Sequence, residues 1–236
     1  HHLVRTVPRR GRLIVNGEDP RLAEVLAMGC WTPVERFGFD QSLEWSARLA
    51  NEDGSAFAVL HNGSEIGVVQ WPMLGNHNVL NGLAALAAAH AVGVDIATVI
   101  PSLAGFHSVK RRLEFIGQSN GITIHDDFAH HPTAIQTTLQ GLRAKVGVAR
   151  IVVAMEPRSN SMRLGAHADA LAPSLDGANA VVFLHRPELA WDAGKVVSAI
   201  RGDARTVADV DELIEALRSI ARPGDHVVFM SNGGFD

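Results

Sequence analysis

The chain has 236 residues, 47% of them hydrophobic, a composition that supports one large or two medium globular domains and excludes the disordered and fibrous classes. Its formal net charge is -4 and its 21 Lys and Arg are scattered, so neither nucleic acid nor an anionic membrane is an expected partner. One cysteine, Cys30, makes no internal disulfide, and the most apolar run, from Leu83 to Val94, is broken by His90 and Gly93; the expectation is a soluble, cytoplasmic protein.

In chain order, RLIVN at 12–16 predicts a short buried strand, and DPRLAEVLAM predicts a helix capped by Asp19 with Pro20 in its first turn. From Val34 to Trp71 the pattern changes to the segments LEWSARLA, SAFAVLHN and EIGVVQWP. NEDG and NGSE separate them with hairpin turn chemistry, so a small antiparallel excursion is predicted. NHNVLNGLAALAAAHAVGV then has the Ala and Leu content of a buried helix stopped at Gly93, and DIATVIPSLAGF predicts a shorter one. A domain boundary is placed near Ser108, dividing the chain into residues 1–108 and 109–236.

Beyond that boundary RRLEFIGQSNGITIHDDF predicts a hairpin turning at Asn120 and Gly121, after which strands and helices alternate. The predicted strands are 122–126, 150–155, 180–184, 204–207 and 226–230, and DVDELIEALRSIA is the clearest helix. This alternation argues for a doubly wound, mostly parallel sheet with its site at the C-terminal ends of the strands.

Polar residues gather at those ends. Asp126, Asp127, His130 and His131 follow the first strand, Glu156, Arg158, Ser159 and Asn160 project from the loop after the second, and Ser231 and Asn232 follow the last. Each loop has a plainer explanation, since Asp127 or Thr133 could cap a helix and paired glycines often make turns. Three such loops on one sheet edge nevertheless point to a ligand site. A metal centre built from the Asp and His set is not expected, because no second cluster completes it. Elsewhere, Asn78 and Asn81 are one helical turn apart and could read the edge of an adenine ring, although an N-cap at Asn76 with His77 in the first turn explains the same cluster. Arg111 and Arg112 near the boundary suit phosphate recognition.

Taken in order, GNHNVLNGLAALAAA, RRLE, DDFAHHP, EPRSNSMR and MSNGGF closely resemble the Mur ligase family, ATP-dependent amide-forming enzymes of peptidoglycan assembly. The resemblance extends over essentially the whole chain, HHLVRTVP included. It implies an α/β fold in which residues 1–108 are the last part of a central ATPase domain and residues 109–236 a C-terminal Rossmann-like domain. The sequence contains no GxxGKT-type phosphate loop, none of the upstream magnesium ligands and no UDP-sugar domain. It therefore reads as a fragment, inactive alone, whose partners include the missing N-terminal domains of the same chain.

The implied reaction uses ATP and Mg2+ to phosphorylate the lactyl carboxylate of UDP-N-acetylmuramate. The amine of the murein tripeptide L-alanyl-gamma-D-glutamyl-meso-diaminopimelate then attacks the acyl phosphate, and the tetrahedral intermediate expels phosphate. EPRSN with MSNGGF favours the tripeptide over free L-alanine, the acceptor of the nearest other member; a non-catalytic nucleotide-binding module is the alternative of a different class. The resemblance implies that His77, Asn78 and Asn81 belong to the nucleotide site, with the two asparagines on adenine. It implies that Arg112 reaches the terminal phosphate and that Asp127 and His130 meet the ribose and phosphate side, Arg112 and His130 being catalytic. Arg158, Ser159, Asn160, Ser231, Asn232 and Phe235 would face the tripeptide.

Overall fold

A computed structural model describes residues 1–187, 189 and 191–235. The chain divides into two compact units, the first His1–His107 and the second beginning at Ser108.

The first unit opens with a short helix, α1 (His2–Thr6), which the sequence reading did not anticipate, followed by strand β1 (Leu13–Asn16) and helix α2 (Pro20–Ala27). Asp19 caps α2 as expected: its carboxylate accepts the Arg21 N–H at 2.9 Å, and Pro20 occupies a first-turn position where a missing N–H is harmless. Strand β2 (Val34–Gly38) is a correction, because no separate strand was expected there. Its sequence VERFG interrupts apolar residues with charge, yet it pairs in parallel with β1, Leu13 opposite Val34. Strand β3 (Trp45–Leu49) pairs in parallel with β2, and only β3, β4 (Ala56–His61) and β5 (Ser64–Gln70) are antiparallel. The expected excursion is thus the continuation of one five-stranded sheet in the order β1-β2-β3-β4-β5. Asn62 and Gly63, with φ of 49° and 77°, make the turn between β4 and β5, the two left-handed residues that match strand twist.

Helix α3 (Asn76–Ala91) buries Val79, Leu83, Leu86 and Ala87 in one core with Trp45, Phe57, Val59 and Val69. Its N-cap is Gly75 at φ 87° and not Asn76, which falls inside the first turn; a left-handed backbone at that corner suits glycine. Gly82 lets the helix approach closely, since a Cβ there would lie 2.8 Å from the Trp71 ring. Helix α4 (Ile96–Val99) is only one turn long and tightens into a 3-10 turn over Ile100–Gly105, where Pro101 has no N–H to continue the α-helical ladder.

In the second unit, β6 (Glu114–Ser119) and β7 (Ile122–Asp127) form the expected hairpin, with Asn120 and Gly121 at φ 51° and 75°. Then follow α5 (Pro132–Val146), β8 (Ile151–Glu156), α6 (Asn160–Arg163), α7 (Ala168–Ser174), β9 (Ala180–Leu184), α8 (Ala193–Ala199), β10 (Asp203–Val207), α9 (Val210–Ile220) and β11 (His226–Ser231). The strands form a sheet in the order β10-β9-β8-β11-β7-β6, parallel except for β6 at the edge. Every residue of β8 and of β9 is buried, as expected for parallel strands covered on both faces.

Sheet order decides which helices cover which face. From β7 to β8, β9 and β10 the chain steps in one direction, so right-handed crossovers put α5, α7 and α8 on one face, in a core with Ile135, Leu139, Leu171 and Val196. The return from β10 to β11 reverses direction and places α9, through Leu213, Ala216 and Leu217, on the other. β11 slots between β7 and β8, so neighbouring chain ends diverge around it, the topology that opens a crevice at the C-terminal edge. The α/β class with a mostly parallel, doubly wound second sheet is as expected.

Candidate functional site

Register brings the three polar loops of the second unit together. Met230 of β11 lies opposite Asp127 of β7, and Ser231 lies opposite Glu156 of β8. The ends of β7, β11 and β8 are therefore level and adjacent.

At the end of β7, Asp127 is 3% exposed and its two oxygens accept the backbone N–H groups of Leu113 and Ala129, each at 2.6 Å. Burial pushes its pKa up, against those two bonds and the nearby Arg112. Asp127 pins the strand-to-loop corner and does not cap α5. That cap is His131, whose ring nitrogen accepts the Thr133 N–H at 3.3 Å. His130 donates from Nδ1 to the Phe128 carbonyl at 2.9 Å, which fixes the ring and leaves Nε2 outside that bond.

Arg111 rather than Arg112 ties the segment before β6 to this edge. Its Nε donates to Asp126 at 3.0 Å and its Nη2 to the Ser231 carbonyl at 2.7 Å. Arg111 and Leu113 both have left-handed backbones, with φ of 61° and 49°, so the chain kinks on either side of Arg112. Both guanidiniums lie 5.5 Å from the centre of the Phe128 ring, and Arg112 is the exposed one. Arg111 and Asp126 are structural partners that the motif spacing alone did not identify.

After β8, Glu156 does not project into the loop as expected: it is the last strand residue and is 1% exposed. Its Oε2 accepts the Ser231 hydroxyl at 2.7 Å, and its Oε1 pairs with Nε of Arg186 at 2.8 Å. The Ser231 oxygen in turn accepts the Gly233 N–H at 3.0 Å. Arg158 donates to the Gly234 carbonyl at 2.6 Å and lies where a Cβ on Gly233 would be, which explains the glycine. Ser159 caps α6 by accepting the Met162 N–H at 3.3 Å, and Asn160 is exposed in the first turn beside it. Asn232 has a buried Oδ1 with no hydrogen-bond partner among the described residues. Phe235 stands apart: its ring meets Phe229 at 5.5 Å and packs with the core on the α9 face.

In the first unit, Asn78 donates from its amide to the Leu74 carbonyl at 2.7 Å, which fixes the orientation of the carboxamide. Asn81, one turn on, is exposed, and His77 is half-buried. Among the described residues, no group of three or more His, Cys, Asp or Glu side chains could hold a metal ion, and no helix is long and apolar enough to cross a membrane.

A model of the Mur ligase glutamate ligase domain matches residues 111–233, and one of the Mur ligase middle domain matches residues 1–89. The chain is 46% identical over its full length to the UDP-N-acetylmuramate–L-alanyl-gamma-D-glutamyl-meso-2,6-diaminoheptandioate ligase of Escherichia coli K12, covering 51% of that protein. It is 31% identical, over 97% of its length, to the UDP-N-acetylmuramate–L-alanine ligase of Roseiflexus sp. RS-1, of which it covers 54%. The crystal structure of a murein peptide ligase from Psychrobacter arcticus 273-4 matches all of the chain with a TM-score of 0.73 and 40% identity, over 51% of that structure's chain. The chain spans about half the length of the curated relatives it matches. With the C-terminal family model spanning more than half of its residues and the middle-domain model most of the rest, the chain belongs to the Mur ligase family.

Proposed function

We propose that this chain is part of an ATP-dependent ligase that joins UDP-N-acetylmuramate to the tripeptide L-alanyl-gamma-D-glutamyl-meso-diaminopimelate through an acyl phosphate. The observation that carries this reading is the 46% identity, unbroken over 236 residues, to a ligase named for that reaction. In the first unit, Asn78 and Asn81 are assigned to adenine and His77 to the same nucleotide, on the strength of an oriented amide and an exposed one sharing a helix face.

In the second unit, Arg112 and His130 are assigned to phosphate. Arg112 is exposed on a kinked segment and can donate to the charge of a transferring phosphoryl group; His130, its ring held by the Nδ1 bond, can do so from Nε2 when that nitrogen carries a proton. Asp127 serves that side by holding the corner from which His130 projects. Arg158, Ser159, Asn160 and Asn232 are assigned to the acceptor edge, where a guanidinium and amide set suits a peptide with several carboxylates; Ser231, expected to face the peptide, is instead fully buried and supports that edge from within. Phe235 supports this edge from the core side. The magnesium that the family implies is not assigned to residues of this chain. The substrates are water-soluble, and the reading includes a cytoplasmic setting.

The test is phosphate release by the full-length protein supplied with ATP and UDP-N-acetylmuramate, with tripeptide or free L-alanine as acceptor. Tripeptide is expected to give the larger kcat/KM. A preference for L-alanine, or turnover with neither, refutes the reading.

A further inference from the structure

Glu156 has no part in the proposed chemistry, yet it is among the most enclosed charged groups in the second unit, at 1% exposed. A carboxylate in that position is tolerated only with good partners. Its partners come from both sides. β8 lies between β9 and β11 in the sheet; Ser231 is the last residue of β11, and Arg186 lies just beyond β9. One carboxylate thereby joins the ends of three consecutive strands.

The connection continues into the loop. Because the Ser231 hydroxyl spends its hydrogen on Glu156, its oxygen is free to accept the Gly233 N–H, and the turn at 232–234 hangs from the carboxylate through that single hydroxyl. Arg158, two residues after Glu156, holds the far end of the same turn at the Gly234 carbonyl. Between these two anchors sits Asn232, whose buried Oδ1 lacks a partner among the described residues, an unmet acceptor held within the turn.

We propose that Glu156, paired with Arg186, is a positioning residue of the acceptor site: it acts through Ser231 to set the 231–234 turn, and with it Asn232, in the shape that receives the peptide. This rests on the reading of that edge as the acceptor side. The Arg186 pair orients the carboxylate, and the carboxylate orients the hydroxyl.

The experiment compares wild type, Glu156→Ala, Glu156→Gln and Ser231→Ala in the full-length protein, by steady-state kinetics and by hydrogen exchange over residues 230–235. Loss of a charge-assisted bond is expected to raise the tripeptide KM on the order of 10- to 100-fold in Glu156→Ala, with the ATP KM within about twofold. Gln can still accept from Ser231 but offers Arg186 no charge, so Glu156→Gln should recover part of the loss. Ser231→Ala keeps the Glu156 and Arg186 pair yet should loosen the same segment, and its effect should not add to that of Glu156→Ala. Unchanged exchange at 230–235 in Glu156→Ala and Ser231→Ala overturns the inference, as does an ATP KM that rises with the tripeptide KM. Faster exchange in a protein that ligates no tripeptide refutes the proposed function while upholding the link from Glu156 to the turn.

Discussion

Acidification should weaken the second unit through a pair of histidines that the ligase chemistry does not use. His125 on β7 and His226 at the start of β11 stack with ring centres 5.5 Å apart, and Nε2 of the first lies 3.2 Å from Nδ1 of the second. At that distance one ring donates its N–H and the other accepts, an arrangement that a second proton destroys. Burial, and then the His226 charge, hold the His125 pKa down at about 4, and burial lowers that of His226. The groups around the pair are Asp225, which favours the His226 cation, Arg143 from α5, which opposes it, the Leu113 backbone, which favours the His125 cation, and the uncharged Phe115 ring of β6. An unfolded histidine titrates near 6.5, so between about 6.5 and 4 the unfolded chain binds more protons, and stability falls as pH falls through that window. For His125 alone the linkage amounts to about 2 to 3 kcal/mol between pH values of about 7.5 and 4.5. Native-state hydrogen exchange over residues 122–127 and 226–231 reads this directly, with His125→Phe as the comparison because it keeps a ring of similar size and cannot titrate. Wild type should lose about 2 to 3 kcal/mol more protection than the variant over that range. Parallel losses in the two proteins would refute the reasoning.

Asp127→Asn replaces one acceptor with an N–H2 group facing a backbone N–H, and should cost the second unit about 1 to 3 kcal/mol in urea unfolding; an unchanged midpoint would mean that the corner is held by something else. Gly82→Ala should destabilise the first unit by about 1 to 3 kcal/mol despite the better helix propensity of alanine, because the added methyl meets the Trp71 and Phe57 rings. A higher melting temperature for that variant would show that α3 shifts at no cost.

Much of the second sheet was legible because parallel strands buried on both faces must be continuous apolar runs, and IVVAM and AVVFL are such runs bounded by turn residues. The Asn120-Gly121 turn was legible for a local reason as well, its two left-handed backbones. Strand β2 was not, because VERFG carries charge on a half-covered strand, and its parallel pairing with β1 depends on a partner about 20 residues away. Helix capping followed the same division. Asp19 was readable from its own neighbourhood, whereas α5 begins at Pro132 and is capped by His131 directly before it, while the carboxylate of Asp127 holds the Leu113 N–H of the segment leading into the neighbouring strand.

The candidate site divides along that line too. The sequence by itself determined which residue types stand at the C-terminal ends of the strands, since chain order and strand periodicity place Asp127, Arg158 and Ser231 there whatever the packing. Only the tertiary structure decided which of them are committed to one another. That Arg111 reaches the Ser231 carbonyl, that Glu156 meets Ser231, and that His125 meets His226 across 101 residues all depend on β11 entering between β7 and β8. Strand order is set by the burial of both sheet faces over the whole unit, a sum of many contacts distant in sequence, and no local motif contains it.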